Sequence, residues 1–133
     1  MALIRNTRTA RIEKRENGVV VTRILPHVLQ TIQDAIENVM VSAEAGGGGK
    51  GPLLVDLREA CPLDAETRHY YSGKQLTNHF TSLAMLVPIG AWGKMFGNIY
   101  LRVAKPGIPA RLFTTEAEAL AWSAGFLPGL NRQ

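Results

Sequence analysis

The run Leu83-Ala84-Met85-Leu86-Val87 is apolar at every position, so a strand formed by it must bury both of its faces. Such strands are typical of the centre of a parallel sheet that is covered by helices on both sides. A second short apolar run, Leu53-Leu54-Val55-Asp56-Leu57, lies between glycines and polar residues. The two runs predict two buried strands.

Helical periodicity surrounds these strands. Apolar residues spaced by three and four predict a first helix from about residue 28 to 43. Its expected inward stripe is Val28, Leu29, Ile32, Ala35, Ile36, Val39, Met40 and Ala43. Asp64 is placed to cap a second helix that runs to about His79, because its carboxylate can accept hydrogen bonds from the following amides.

A third and a fourth helix follow in the same way. Trp92 to Val103 repeats apolar residues at helical spacing, and Thr115 with Glu118 matches a capping box. Ala110 to Phe113 lies between these helices and predicts a last short strand.

An antiparallel hairpin precedes the first helix. Thr9 to Arg15 and Val19 to Leu25 flank Asn17-Gly18, a pair favoured in two-residue turns because both positions need positive φ. After this hairpin, helices and strands alternate. The order predicts an α/β fold with a mostly parallel sheet of about five strands and four helices.

Length and composition fit one globular domain. The chain has 133 residues, of which 46% are hydrophobic and 20% charged, with a net charge of +4. We expect one domain over 1–133, with tails at 1–8 and 128–133 and a flexible glycine-rich loop at 44–51. The single cysteine and the lack of a long apolar segment favour a cytoplasmic protein with no transmembrane segment.

The sequence resembles a bacterial domain family of unknown function that has the SpoIIAA-like fold. The resemblance covers most of residues 18–127. It rests on Leu54-Val55-Asp56-Leu57-Arg58, Arg68-His69-Tyr70-Tyr71, Gly97-Asn98-Ile99-Tyr100-Leu101, Pro106-x-x-Pro109-x-Arg111-Leu112-Phe113-Thr114 and Glu118-Ala119-Leu120-Ala121-Trp122. STAS domains share this fold, and the lipid-carrying SEC14 modules are similar to it. The resemblance implies a βα superhelix and a binding role without catalysis.

The resemblance also implies a surface for a protein partner, on the second helix and the loop before it. Asp64, Glu66, Arg68 and Tyr71 are the expected partner-binding residues. In phosphoregulated STAS antagonists an Asp-Ser-x-Gly motif carries the phosphorylated serine. Here Ala65 follows Asp64 and has no hydroxyl, so we expect the ordinary anti-sigma switch to be absent.

Three other binding functions remain open. A SEC14-like pocket between the third helix and the sheet, lined by Trp92, Phe96 and Tyr100, would hold a lipid or another hydrophobic molecule. The same helix, with the loop 88–94, offers a surface for a homodimer. Residues 1–25 carry six basic and two acidic side chains, but no aromatic residue lies among the arginines to stack on bases, so nucleic-acid binding is disfavoured.

The residues that suggest chemistry do so weakly. Gly46 to Gly51 follows a predicted helix and precedes a strand, which is the reverse of a P-loop, and position 51 lacks the Ser or Thr that would hold magnesium. Cys61, His69 and Asp56 have no spacing that predicts a nucleophile with its base. The three histidines lack metal-ligand spacing. We expect no enzyme activity, no metal and no cofactor.

Overall fold

Six strands form one sheet in which every strand lies beside its neighbours in sequence. The computed structural model describes residues 3–71, 78–90 and 107–127. The first three strands are antiparallel, and β3 to β6 run parallel to one another. The strands are β1 (Leu3–Asn6), β2 (Ala10–Lys14), β3 (Val20–Ile24), β4 (Gly51–Asp56), β5 (Phe80–Leu86) and β6 (Ala110–Phe113).

Three helices in the described chain pack on the two faces of this sheet. They are α1 (Ile32–Ala45), α2 (Ala65–Tyr71) and α3 (Glu116–Ala124). On one face α1 and α2 cover a core that includes Leu53, Leu83 and Met85. On the other face α3 covers Leu54, Ala84 and Leu86. Alternating residues of β4 and β5 therefore enter opposite cores, as strands apolar on both faces require.

The α/β class and the mostly parallel sheet are confirmed, and the strand count differs. The sheet has six strands because residues 3–6, expected in a tail, form β1 beside β2. This strand is short and exposed throughout, so no hydrophobic alternation marks it in the sequence. The predicted third helix lies in 91–106, outside the described residues.

The inward face of α1 is rotated from the predicted stripe. Ala35 and Val39 are buried as expected, but Ile36, Met40 and the preceding Leu29 are exposed. The buried face instead contains the polar residues Asp34, Asn38 and Ser42. The three polar side chains form hydrogen bonds with Arg8, Thr7 and Thr22, respectively. These bonds contribute more to stability than burial of the exposed apolar residues would.

The hairpin turn contains three residues, so the expected two-residue turn is wrong. The backbone N–H of Arg15 donates to the Val19 carbonyl at 2.8 Å, and Gly18 N–H donates to the Arg15 carbonyl at 2.9 Å. Gly18 has a φ of 104°, whereas Asn17 is outside the positive-φ region. The geometry is that of a turn followed by a glycine bulge, which needs positive φ at the glycine alone.

Replacing Gly18 with alanine should destabilise the protein by about 1–2 kcal/mol, because an L-residue is strained at positive φ. The added Cβ would also lie 3.0 Å from Leu127 Cδ2. Gly49→Ala is the matched control, since its φ is outside the strained region and its Cβ would contact nothing within 4 Å. Urea denaturation measures both variants. Equal midpoints would contradict the prediction.

Candidate functional site

An apolar pocket lies between the sheet and the covering segments α1, α2 and the loop after β4. Its volume is about 40 Å³. The apolar lining comes from the sheet, from α1 and from the loop, and consists of Ile24, Val39, Leu53, Val55, Leu57, Ala60, Cys61, Leu63, Leu83 and Met85. The polar lining is Thr22, Gln30, Asn38, Ser42 and Tyr71. The pocket is therefore a hydrocarbon-lined cavity with a polar rim on the α1 side.

Asn38 joins four segments on that polar side. Its side-chain oxygen accepts a hydrogen bond of 2.6 Å from Thr7 Oγ1. Its amide nitrogen lies 2.9 Å from Thr9 Oγ1 and 3.2 Å from both Gln30 Oε1 and Tyr71 Oη. An amide group has two N–H donors, so three acceptors share them and Asn38 is fully satisfied.

Tyr71 closes the network from α2. Its hydroxyl donates to Gln30 Oε1 at 2.5 Å and faces Asn38 on its other side. Burial raises the pKa of Tyr71 to about 12, so the phenol is neutral under ordinary conditions. The group therefore acts as a fixed hydrogen-bonding contact between α2 and α1, and not as a base.

Asp34 anchors the start of α1 to the β1–β2 turn. Its carboxylate accepts hydrogen bonds from Arg8 Nε at 2.9 Å and Nη2 at 2.6 Å. It also accepts from the Thr31 backbone N–H at 2.8 Å, which completes a capping box. The bond to Arg8 is the main reason that the pKa of Asp34 lies well below its usual range.

A second charged group lies on the opposite face, beside the start of α3. Asp56 contacts the guanidinium groups of Arg23 and Arg58, and Glu116 bonds Arg15 at 2.7 Å and Arg23 at 3.1 Å. Burial favours the neutral carboxylic acids, yet the arginines and the Arg58 backbone N–H keep the pKa of Asp56 and Glu116 below their ordinary values. We call these five residues the α3-side charge cluster.

This pairing affects the nucleic-acid alternative. Arg8, Arg15 and Arg23 of the basic amino-terminal segment all form ion pairs with carboxylates of this chain. Half of the six basic side chains in that segment are therefore already neutralised within the fold. A phosphate backbone would have to compete with those carboxylates.

Two of the four expected partner-binding residues are exposed, and the other two are half-buried. Asp64 caps α2 by accepting from Thr67 N–H at 2.8 Å, which lowers its pKa, and Glu66 is exposed. Arg68 is half-buried and donates to the Leu63 carbonyl at 2.7 Å. Tyr71 is also half-buried, and its hydroxyl bonds Gln30 and Asn38, so its expected role in partner binding stays a prediction that concerns the ring alone.

The other sequence candidates are not assembled into a site. Asp56 lies in the α3-side charge cluster, whereas Cys61 lines the pocket on the opposite face and His69 is exposed. Trp92, Phe96 and Tyr100 lie outside the described residues. Within the part of the chain that is described, no three His, Cys, Asp or Glu side chains are grouped as a metal site.

The sequence prediction missed Gln30, Asn38 and Ser42. One signal was present, because Asp34, Asn38 and Ser42 recur every four residues and so share one helix face. A polar stripe of this kind ordinarily faces water. The Thr7 and Thr9 partners that bury it lie far away in sequence, so the pattern of α1 alone does not indicate burial.

Comparison with known proteins places this geometry in a fold class. An uncharacterised protein of the DUF3478 family from Shewanella loihica, whose crystal structure has a SpoIIAA-like fold, matches with a TM-score of 0.52 over 92% of each chain. Sequence identity is 15%, so the likeness concerns the fold alone. The protein is thus an α/β domain similar to the SpoIIAA-like fold.

The family follows from the sequence match. A family model described as a domain of unknown function, DUF7793, matches residues 13–127, and the chain belongs to that family. No curated protein matches the sequence. None of the helices in the described ranges has the length and apolar character needed to cross a membrane.

Removing the Tyr71 hydroxyl should destabilise the protein by about 1–2 kcal/mol, because Gln30 and Asn38 each lose a buried partner. Tyr70→Phe is the matched control, since the Tyr70 hydroxyl makes no hydrogen bond to the described chain and the ring is only half-buried. Urea denaturation at neutral pH compares Tyr71→Phe with this variant. Similar urea midpoints for the two variants would show that the Tyr71 hydroxyl contributes nothing to stability.

Asp34→Asn should lower stability at neutral pH, and the difference from wild type should shrink in acid. The folded state lowers the Asp34 pKa, so its stabilisation is complete above the ordinary aspartate value of about 3.9 and is lost as the pH falls below it. Denaturation curves between pH 7 and pH 2 measure this convergence. Glu44→Gln, an exposed change in the last turn of the same helix, should follow the wild-type curve. A constant difference would contradict the prediction.

Proposed function

We propose that this protein is a non-enzymatic binding domain that docks a protein partner at the carboxyl ends of its parallel strands. Three of the connections that leave the sheet at that edge are residues 25–31 after β3, 57–64 after β4 and 87–90 after β5. We call these loops together the carboxyl-edge surface. Ligands of open α/β sheets commonly bind at this edge, because the loops there are free to vary above a fixed scaffold.

The apolar pocket at this edge carries the proposal. Gln30 of the first loop, and Leu57, Ala60, Cys61 and Leu63 of the second, contribute to its lining. The pocket is thus bounded by the loops that would meet a partner, and its wall is almost entirely hydrocarbon. A buried apolar group from a partner would gain free energy there in proportion to the area it removes from water.

The size of the pocket favours one small side chain over a lipid. Its volume of about 40 Å³ is several times smaller than the roughly 150 Å³ cavity that holds a benzene molecule. An acyl chain would need much more room than the described residues leave. An aliphatic side chain tip from a protein partner matches the available space better.

Exposed apolar residues on the same loops extend the surface. Leu29 has 72% of its area exposed and Ile89 has 84%, the largest values among the large hydrophobic residues of the described chain. Single exposed apolar residues are ordinary, but these two lie on loops that leave the same sheet edge as the pocket. A partner covering this edge would bury both.

Charged residues surround this apolar surface. Arg58, Glu59, Asp64 and Glu66 are exposed on the 57–64 loop and the first turn of α2. An apolar centre with a polar, solvent-accessible rim is the usual organisation of a protein interface. Asp64, Glu66 and Arg68 keep their proposed role in partner binding, at the rim of the surface.

The ionisable groups support a role without catalysis. General acids and bases work best when their pKa lies near the operating pH. The pKa of Asp34, Asp56, Asp64 and Glu116 is lowered, and that of Tyr71 is raised. Each shift moves the pKa further from neutral pH, so each group stays in one charge state near neutral pH. This is typical of groups that form structural contacts.

A second candidate function is the binding of a hydrophobic small molecule, supported by the apolar lining of the pocket. It would require the pocket to widen, and the residues expected to hold such a ligand from the sequence, Trp92, Phe96 and Tyr100, lie outside the described residues. Native mass spectrometry of protein purified from its own cells distinguishes the two candidates. A bound mass that organic extraction removes would favour the small molecule.

Replacing both Leu29 and Ile89 with serine should abolish partner binding and change stability by less than about 0.5 kcal/mol, because both are surface residues. The experiment is affinity capture from cells that make the protein, with the tagged wild type beside the double variant. Met40→Ser is the matched control, since Met40 is also an exposed apolar residue, 52% exposed, on the outer side of α1.

The supporting result is a protein that wild type and Met40→Ser capture and the double variant does not. Capture that persists in the double variant would overturn the docking surface. Light scattering of the same samples over a range of concentrations tests self-association. A wild-type dimer that the double variant fails to form would identify the partner as a second copy of this chain.

A further inference from the structure

A second cavity lies at the opposite edge of the sheet, where the parallel strands begin. Its volume is about 220 Å³, which is room for about seven water molecules. The walls come from four segments: the hairpin, the connection between α1 and β4, the start of β5, and the turn that follows α3. They include Lys14, Asn17, Gly49, Lys50, His79 and Phe80.

Cationic groups line this cavity, and no acidic residue of the described chain does so. Lys14 and Lys50 reach it from separate segments, β2 and the α1–β4 connection. Neither lysine forms an ion pair with a carboxylate of the described residues. This contrasts with Arg8, Arg15 and Arg23, which are all paired. Among the described residues, the two ammonium groups therefore leave a local positive charge that no carboxylate pairs with.

The glycine-rich connection leaves this space open. Gly47 and Gly48 have φ values of 85° and 94°, so the turn itself requires glycine at those positions. Gly49 and Gly51 have no such requirement, and a Cβ at either position would meet nothing within 4 Å. Lys14 Nζ lies over the turn, 3.5 Å from where a Gly47 Cβ would stand. The backbone can therefore approach a ligand closely beside the ammonium group.

Backbone donors are also available on this connection. Gly46 and Gly47 use their N–H groups to close the end of α1. The N–H groups of Gly48, Gly49 and Lys50 make no hydrogen bond to the described chain. The C-terminus of α1 opposes an anion with roughly half a negative charge, which is less than the two full charges of the lysines.

We propose that this cavity binds a small phosphate monoester. Two lysines match the charge of a phosphate monoester, about −1.5 to −2 at neutral pH, better than the single charge of a carboxylate. The remaining wall combines the apolar side chains of Val20, Ala43, Phe80 and Leu127 with the polar side chains of Asn17 and His79, and has room for a small organic group attached to the phosphate. The site is separate from the carboxyl-edge surface, so a result that overturns one proposal does not affect the other.

Isothermal titration calorimetry at constant ionic strength tests this site with three probes: phenyl phosphate, inorganic phosphate and benzoate. We expect saturable binding of phenyl phosphate, weaker binding of inorganic phosphate, and the weakest binding of benzoate. Amide NMR shifts on titration should concentrate on residues 46–51. Equal affinity for inorganic phosphate would restrict the ligand to free phosphate, and equal affinity for benzoate would overturn the phosphate assignment.

Two lysine variants connect the binding to this cavity. Lys14→Gln should weaken phenyl phosphate binding about tenfold or more, since one charge-assisted contact is lost. Lys50→Glu, an exposed change in a turn, should abolish binding while the thermal midpoint stays the same. Arg5→Gln removes an exposed positive charge on β1 and should leave the affinity unchanged. No saturable binding to wild type, or equal binding to all variants, would overturn the proposal.

Discussion

The buried amide of Asn38 determines how α1 lies on the sheet. It bonds the β1–β2 turn through Thr7 and Thr9, the chain before α1 through Gln30, and α2 through Tyr71. Rotation of α1 about its axis would leave these groups buried without partners, which costs more than a typical hydrogen bond gains. The orientation of α1 and one wall of the apolar pocket therefore depend on the same contact.

The sequence predicted the parts of the fold that local patterns determine. The double-sided apolar runs of β4 and β5 and the capping role of Asp64 follow from neighbouring residues, and the structure confirms them. The face of α1 could not be predicted in this way, because Thr7 is 31 residues from Asn38. The pocket was missed for the same reason, since its lining comes from segments that meet only in the folded chain.

Charge is distributed so that the two sheet edges differ. Most arginines of the amino-terminal segment are used to hold the fold together, through Asp34 at the start of α1 and through the α3-side charge cluster. Lys14 and Lys50 remain at the opposite edge with no described carboxylate beside them. The basic residues thus have two roles, ion pairing within the fold and an unpaired positive surface, and composition alone does not distinguish these roles.

The strictly sequential strand order also bears on how the chain assembles. Each new strand pairs with the one just made, so the sheet can grow at a single advancing edge during synthesis. The helix α3 follows all six strands, and it alone among the described helices covers Leu54, Ala84 and Leu86. Until α3 docks, Leu54, Ala84 and Leu86 lack the cover that this helix provides, a state that is prone to aggregation and suited to a chaperone.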